Sequence, residues 1–148
     1  MKKLLFFAAM SLMALSMSAQ DDYIDLGLLS GTLWKRTAEQ GFYTYDEAMS
    51  EFQDHLPTKE QFEELIKECI WTWTGAGYKV EGPNMNIIYL PATGYRHCLG
   101  SVYNVGSVGS YWSSSLDVSE IPFDLYLSSE SVSLSSGICY GSVLLVSK

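Results

Sequence analysis

The residues with the most versatile chemistry in this sequence are three cysteines and two histidines: Cys69, Cys98, Cys139, His55 and His97. A zinc or copper site needs several such side chains to converge on one ion. His97 and Cys98 are neighbours, so on an extended backbone they point to opposite faces. A catalytic dyad of Cys139 and His97 needs a third group to orient the imidazole, and the spacing indicates none. We therefore expect no metal, no cofactor and no catalytic residue.

Signatures of other enzyme classes do not occur in the sequence. No Gly-rich phosphate loop precedes a predicted helix, and no Gly-x-Ser-x-Gly elbow is present. An enzyme that uses Cys98 or Cys139 is therefore kept only as an alternative.

The odd number of cysteines bears on disulfide pairing. In an oxidising compartment an odd count leaves at least one thiol free or paired with another chain. Cys69 falls on the apolar stripe of a predicted helix, so we expect it to be buried and unpaired. A bridge between Cys98 and Cys139 is one alternative, and the sequence alone does not determine the pairing.

The stretch from residue 90 to residue 115 separates two segments with strand character. It follows an apolar run at 87–90 and returns to Tyr111 and Trp112, so we expect a long loop that leaves one sheet and re-enters it. A loop longer than about 15 residues in a compact domain is either functional or disordered. Its apolar and aromatic anchors argue against disorder. Recognition is commonly carried by loops on a rigid scaffold.

Six residues of this stretch are candidate ligand contacts. Five of them follow no apolar periodicity that would assign them to the core. The alternative is that Arg96 pairs with an acidic neighbour and Tyr103 pins the loop. Tyr111 and Trp112 point to opposite faces of a strand, so one should pack inside while the other can be wet. The six candidates are Tyr95, Arg96, His97, Tyr103, Asn104 and Tyr111.

Two helices are predicted ahead of this loop, each by a capping box. Thr44 with Glu47, and Thr58 with Gln61, lie three residues apart, so each pair can satisfy two free backbone N–H groups. The first helix should end near Asp54. In the second, apolar residues recur at helical spacing and should pack on a sheet. These residues are Phe62, Leu65, Ile66, Cys69 and Ile70.

From residue 70 onward the period of large side chains changes from 3.6 to 2, which predicts strands. Trp71 and Trp73 share one strand face, where they serve either as core or as an aromatic platform. Serine fills most alternate positions between 128 and 136, so these strands should show one face to water. The predicted strands after the helices are 70–74, 78–80, 87–90, 123–127, 132–134 and 143–146, and two short pieces precede the helices. This order predicts an α+β domain, with two short helices packed on one side of a mainly antiparallel sheet.

The N-terminal segment has the pattern of a secretory signal peptide. Lys2 and Lys3 precede an apolar run at residues 4–17, and small residues follow. We expect cleavage after Ala19, so that residues 20–148 form a single exported domain in the periplasm, at the cell surface or in the medium. Removing Lys2 and Lys3 changes the net charge from −8 to −10. Such acidity disfavours nucleic acid and anionic lipid as partners, and about 15 apolar residues are few for a membrane span.

Six motifs in order give the chain a resemblance to a known family. It resembles the Fibrobacter-type major paralogous domain of exported Bacteroidetes proteins, whose architecture is similar to the C-type-lectin-like fold. The resemblance covers nearly all of residues 20–148, and the motifs are specific only in combination. They are Asp25-Leu26-Gly27-Leu28-x-Ser30-Gly31-Thr32-Leu33-Trp34, Leu56-Pro57-Thr58-Lys59-x-x-Phe62-Glu63-Glu64-Leu65, Trp71-Thr72-Trp73-Thr74, Gly77-Tyr78-Lys79-Val80, Leu90-Pro91-Ala92-x-Gly94-Tyr95-Arg96 and Tyr111-Trp112-Ser113-Ser114.

The resemblance implies two helices flanking a twisted antiparallel sheet. It also implies that the long excursion after Leu90 lies at the surface that such folds use for ligands. It implies no established reaction. The chain departs from the family pattern at two places: the segment 142–146 lacks the arginine of a usual Ser-Val-Arg-x-Val strand, and Leu29 replaces a common proline.

The sugar-binding branch of the lectin-like fold holds calcium with a Glu-Pro-Asn-type loop and a Trp-Asn-Asp strand. Such a site needs several oxygen ligands around one ion. The segment 81–84 reads Glu-Gly-Pro-Asn, in which Gly82 displaces the glutamate, and the serines after Trp112 lack a carboxylate. We therefore expect any ligand to be bound without calcium.

Three functions follow as hypotheses. The preferred one is an exported, non-enzymatic binding or adhesion module that presents the long loop to a glycan or a protein. The second is a structural or assembly subunit that associates through edge strands, the apolar final strand being the first choice. The third is the cysteine-dependent enzyme.

Overall fold

The computed structural model describes residues 22–148, so the expected signal peptide at 1–19 lies outside the described residues. Two short strands come first, β1 (Tyr23–Asp25) and β2 (Leu33–Lys35), followed by α1 (Tyr45–Phe52), a 3-10 turn (Gln53–His55) and α2 (Lys59–Glu68). Nine more strands complete the described chain. They are β3 (Ile70–Trp73), β4 (Gly77–Glu81), β5 (Ile87–Pro91), β6 (Tyr95–Arg96), β7 (Val102–Tyr103), β8 (Val108–Leu116), β9 (Pro122–Ser128), β10 (Val132–Ser136) and β11 (Val146–Ser147).

The strands pair in four small antiparallel units. Three are three-stranded sheets with the orders β1-β2-β11, β3-β4-β5 and β10-β9-β8, and the fourth is the β6-β7 hairpin. This confirms an α+β class with two helices and mainly antiparallel pairing. The expectation of one sheet is wrong, because β5 ends at Pro91, which has no N–H to extend a ladder, and β8 pairs with β9 instead. The excursion after Leu90 therefore leaves one sheet and enters another.

Both capping boxes form as predicted. In α2 the Gln61 N–H donates to Thr58 Oγ1 at 3.2 Å, and the Thr58 N–H donates to Gln61 Oε1 at 2.8 Å. The helix ends at Glu68, and Ile70 begins β3 with 66% of its surface exposed. Including Ile70 in the helical stripe was wrong, because the period of 2 already applies at this residue and turns it away from the core.

Trp71 and Trp73, at the alternate positions of β3, pack against the main core. Their rings meet the Tyr78 ring edge-on, with centroids 5.5 and 5.1 Å apart. The Trp71 indole N–H donates to the Leu65 carbonyl at 3.0 Å. Of the two alternatives for this pair, the structure therefore supports core packing.

The Thr58 cap can be tested by replacing it with alanine. Thr58→Ala leaves an N–H of the first turn of α2 without its side-chain acceptor and should lower the free energy of unfolding by about 1 kcal/mol. Urea unfolding measures this as a lower midpoint with an unchanged slope. Thr37→Ala, in an exposed loop, is the control. A loss no larger than that of the control would show that the cap does not stabilise α2.

Two hydrophobic cores lie on either side of β8 and the final segment. Tyr111, Leu144 and Val146 belong to the main core, whereas Trp112 and Val143 belong to a smaller one. Tyr111 and Trp112 are 0% and 1% exposed, so the expectation that one of them is wet was wrong. The reason is that β8 is covered on both faces, and a strand of this kind buries successive side chains.

Burial on both faces also explains the apolar character of the final segment, residues 143–146. All of the residues 143–146 are buried, although only Val146 and Ser147 pair as a strand. The Val146 carbonyl oxygen also lies 2.9 Å from His55 Nδ1. The apolar character of residues 143–146 therefore reflects core packing, while β11 itself lies at the edge of the sheet β1-β2-β11.

Candidate functional site

The stretch between β5 and β8 is folded as a hairpin. Tyr95 on β6 lies opposite Tyr103 on β7. Gly94, before β6, has a φ of +81°, and a Cβ there would lie 2.5 Å from the Tyr103 carbonyl oxygen, so glycine is required. The Gly94 N–H donates to the Val108 carbonyl at 2.7 Å and ties the hairpin to the start of β8. The hairpin can therefore hold side chains in fixed positions.

Arg96 follows Tyr95 and faces the other side of the hairpin. Its Cζ lies 4.5 Å from the centroid of the Tyr140 ring, a cation–π contact. No ion pair among the described residues includes Arg96, so the alternative that it pairs with an acidic neighbour is not supported. Its Nε is buried and has no hydrogen-bond partner within residues 22–148. Stacking on Tyr140 thus holds the Arg96 guanidinium in place, while its Nε–H has no hydrogen-bond acceptor.

A disulfide joins the hairpin to the segment that carries Tyr140. Cys98 is bonded to Cys139, with Cα atoms 5.3 Å apart, inside the range of roughly 4.4 to 6.8 Å typical of disulfides. The bridge that the sequence left open therefore forms. Cys69 is buried and unpaired as predicted, and burial raises the pKa of its thiol to about 11.

Polar side chains on one face of the β8-β9-β10 sheet lie beneath the hairpin. Ser110 pairs with Tyr126, and Asp124 pairs with Ser135. Cross-strand partners share a face and side chains alternate along a strand, so these four residues lie on the same side. Asp124 is 0% exposed, and neither of its carboxylate oxygens has a hydrogen-bond partner among the described residues.

The hairpin, the segment 137–140 and this sheet face line a partly open cavity of about 410 Å³, which we call the Asp124 cavity. Four buried side-chain N or O atoms in residues 22–148 lack a partner, and three of them belong to two residues that line this cavity: Nε of Arg96 and both carboxylate oxygens of Asp124. The fourth, Trp34 Nε1, lies in the main core. Buried polar atoms normally have partners, so their concentration at one cavity indicates a ligand site.

Cavity size alone would select a different place. Cavities of about 530 Å³ near His55 and about 640 Å³ near Tyr89 are larger. Neither is lined by a residue with an unpaired buried polar atom. Unmet hydrogen bonding, which a ligand can satisfy, therefore distinguishes the Asp124 cavity better than volume does.

The surroundings of Asp124 change its acidity. Burial raises the pKa of this carboxyl from an ordinary value of 3.8 to about 6. The Ser110 hydroxyl is close enough to oppose part of the shift, although it does not have hydrogen-bond geometry with either carboxylate oxygen. At pH 7 the group is therefore mainly ionised and can accept hydrogen bonds from a ligand. A carboxylate with a raised pKa in a cleft is typical of functional positions.

Three of the candidate ligand contacts, Tyr95, Arg96 and His97, line the Asp124 cavity. His97 is exposed, and its Nδ1 accepts from the Leu99 N–H at 3.2 Å. The structure thus brings together three consecutive residues of β6 and its turn.

The other three candidates lie elsewhere. Tyr103 is 49% exposed, and its ring centroid lies 5.5 Å from that of Tyr95. Asn104 is exposed in a turn with a φ of +55° and does not line the cavity. Tyr111 is buried, and its hydroxyl donates to the Pro91 carbonyl at 2.6 Å, so it offers no surface to a ligand. Tyr111 is therefore removed from the candidates.

Sequence reasoning missed Asp124, Tyr126 and Tyr140. A signal for Asp124 was present, because it is a lone carboxylate in the apolar alternation of Phe123, Leu125 and Leu127. That position belongs to the face assigned to water. The same alternation of polar side chains arises when a strand faces a polar cavity, so period alone could not separate the two cases.

The Glu-Gly-Pro-Asn segment is a structural turn. The Asn84 side-chain amide donates to the Asp25 carbonyl at 2.9 Å, and a Cβ on Gly82 would overlap Leu26. The turn therefore packs on β1. Within residues 22–148 no three His, Cys, Asp or Glu side chains group as a metal site requires.

The disulfide also bears on the Cys139–His97 dyad. A sulfur bonded to Cys98 cannot act as a thiolate nucleophile, so the dyad is not available in this state.

No family model, curated protein or solved structure matches the chain. Of the helices in residues 22–148, none has the length and apolar character needed to span a membrane. The resemblance to the major paralogous domain therefore depends on its six motifs.

Proposed function

We propose that the chain is an exported, non-enzymatic binding or adhesion module that binds a glycan or a protein in the Asp124 cavity without calcium. The observation that carries this proposal is that Arg96 and Asp124, the residues with three of the four unpaired buried polar atoms in residues 22–148, line the same cavity. These atoms have already lost their contact with water. A ligand that hydrogen-bonds them therefore adds interactions at little further cost in desolvation.

The contacts that hold the hairpin in position beside the cavity also support a binding role. The hairpin is held by the Cys98–Cys139 disulfide, by the Gly94 hydrogen bond and by the stacking of Arg96 on Tyr140. Groups held in position before binding lose little conformational entropy when the ligand arrives. The partly exposed Tyr95 at the cavity offers an aromatic surface, which recognition sites often use.

The proposal includes the C-type-lectin-like fold of the major paralogous domain. Its support is the order of the six motifs, together with two helices, antiparallel sheets and a hairpin in the excursion after Leu90. Export is supported by the signal pattern at residues 1–19. The disulfide agrees with export, because such bonds persist in oxidising compartments.

Arg96→Ala provides the test of the proposed site. The purified chain is screened on glycan and protein arrays, and the affinity of each ligand found is then measured for the variant. Loss of the guanidinium should weaken binding by roughly tenfold or more, since a hydrogen bond to a charged group is lost. Arg36→Ala, at the exposed Arg36 outside the cavity, is the matched control and should bind as the natural sequence does.

Tyr103→Ala locates the boundary of the site. A loss of affinity in this variant extends the contact surface from the cavity to the outer side of the hairpin. Unchanged affinity in Arg96→Ala, with its fold verified by circular dichroism, would place the binding site elsewhere and contradict the proposal.

A further inference from the structure

We infer that the Asp124 cavity selects an uncharged, hydroxyl-bearing ring, a neutral pyranoside, over acidic, cationic and zwitterionic ligands. This inference rests on the proposed function and specifies its ligand. It comes from the charges of the cavity, the hydrogen-bonding capacity of its unpaired atoms and the side chains that surround them.

The charges at the cavity argue against a charged ligand. Asp124 and Arg96 supply one carboxylate and one guanidinium to the lining of the same cavity. A ligand with a single negative charge would approach a fully buried carboxylate, and one with a single positive charge would approach the guanidinium. At reduced dielectric such like-charge contacts are costly. A neutral ligand leaves the balance of the two groups unchanged.

The unpaired atoms require a ligand that both donates and accepts. The Asp124 carboxylate only accepts hydrogen bonds, and Arg96 Nε only donates. A hydroxyl group does both, so one type of group on the ligand satisfies both residues. Ser110, Ser135 and Tyr126 add hydroxyls that can take either role.

A zwitterion such as an amino acid could also satisfy both charges, but its desolvation disfavours it. An ammonium group would have to shed its water to reach Asp124, and the desolvation of a buried ion pair can exceed its Coulomb gain. The carboxylate of the same ligand would likewise have to shed its water to reach Arg96.

Aromatic side chains give the apolar face of a sugar ring a place to pack. Tyr95, Tyr126 and Tyr140 all line the cavity. A volume of about 410 Å³ lies within the range of roughly 300 to 1,000 Å³ typical of small-ligand sites. Polar groups beside aromatic rings suit a ligand with hydroxyls at its edge and C–H groups on its face.

The test is a titration of the isotope-labelled chain, followed by NMR, with matched sugars. In the gluco, galacto and manno series, the neutral methyl pyranoside is compared with the uronate and the amino sugar, and glycine represents zwitterions. We expect at least one neutral pyranoside to shift amide signals of the Asp124 cavity and to bind roughly tenfold more tightly than its charged congeners.

Two variants test which side chains of the cavity bind the sugar. Asp124→Asn should weaken binding of the neutral pyranoside by roughly tenfold, and Asp46→Asn on the exposed side of α1 is the matched control. Tyr126→Phe keeps the ring and the packing while removing one hydroxyl. It should weaken binding by roughly threefold.

The outcomes separate this inference from the proposed function. If an uronate, an amino sugar or glycine binds the cavity as tightly as the neutral sugar, the inference is wrong while the binding site stands. The same holds if the ligand lost in Arg96→Ala is a protein and no sugar shifts the cavity signals. If no ligand depends on Arg96 or Asp124, both the inference and the proposed function are wrong.

Discussion

Replacing both Cys98 and Cys139 with serine should lower the free energy of unfolding by about 4 kcal/mol, because the unfolded chain regains the freedom of a long loop. The two cysteines are 41 residues apart, and the entropy of closing a loop of that size gives this magnitude in the chain-entropy model. The loss is large beside the roughly 5 to 15 kcal/mol that stabilises typical domains. Guanidinium unfolding at pH 7 would measure it as a lower midpoint.

A reducing agent supplies the control for this experiment. Dithiothreitol should move the midpoint of the natural sequence to that of the double variant and leave the variant unchanged. Cys69 is free in both proteins and cannot account for the difference. Equal midpoints for the oxidised natural chain and the double variant would show that the bridge contributes nothing to stability.

The disulfide variant should also affect the Asp124 cavity. Cys98 lies in the turn after β6, and Cys139 precedes Tyr140, so both walls of the cavity lose their covalent connection. Amide hydrogen exchange in residues 95–103 should become faster than in the β8-β9-β10 sheet. This measurement separates local loosening of the hairpin from a general loss of stability.

The natural sequence should lose roughly 2 kcal/mol of stability through Asp124 between pH 4 and pH 7.5, and Asp124→Asn should lack this loss. Burial raises the pKa of this carboxyl from 3.8 to about 6, so between these values the folded state holds a proton that the unfolded state has released. Stability from this group is therefore present at pH 4 and is lost as pH rises through 6. Asparagine does not titrate, and the variant should lack this loss.

The measurement is the difference in unfolding free energy between the two proteins at several pH values. The other charged or titratable side chains at the cavity are present in both proteins, so their contributions cancel in the difference. They are Arg96, His97, Tyr95, Tyr126 and Tyr140. The cost of burying the amide is the same at each pH and does not alter the slope.

Ser135→Ala is the matched control for this experiment. It alters the same sheet face but keeps the carboxylate, so it should retain the pH dependence of the natural sequence. Parallel stability curves for Asp124→Asn and the natural sequence from pH 4 to pH 7.5 would show that Asp124 titrates alike in the folded and unfolded states. They would also show that burial in the folded protein does not raise the pKa of the Asp124 carboxyl.

Helices and strands were predictable where their signals are local. The capping boxes at Thr44 and Thr58 involve residues three positions apart, and the helical stripe of Phe62 and Leu65 follows from the helical period. The change to a period of 2 predicted β3, β4, β5, β9 and β10. The strands β6 and β7 and the start of β8 lie in the stretch expected to be a loop, and the predicted strand at 143–146 pairs as a strand only at Val146. Ile70 was assigned to the helix, although it begins β3, because it fits both the helical period and the period of 2.

The candidate site was predictable in part. The unusual length of the excursion after Leu90 pointed to Tyr95, Arg96 and His97, all of which line the cavity. Its other wall and its floor come from residues far along the chain, among them Asp124 and Tyr140. No local pattern joins these positions, so the sequence did not reveal the cavity.

The sequence alone was enough for the two helices, most of the strands and the α+β class, because each depends on neighbours within a few residues. Only the tertiary structure decided the pairing of Cys98 with Cys139, the burial of both Tyr111 and Trp112, and the position of Asp124. The physical reason is that alternation in a strand separates its two faces without saying what covers each of them. Contacts between distant segments placed a second core on one side of β8 and a cavity lined by Asp124 and Arg96 beside it.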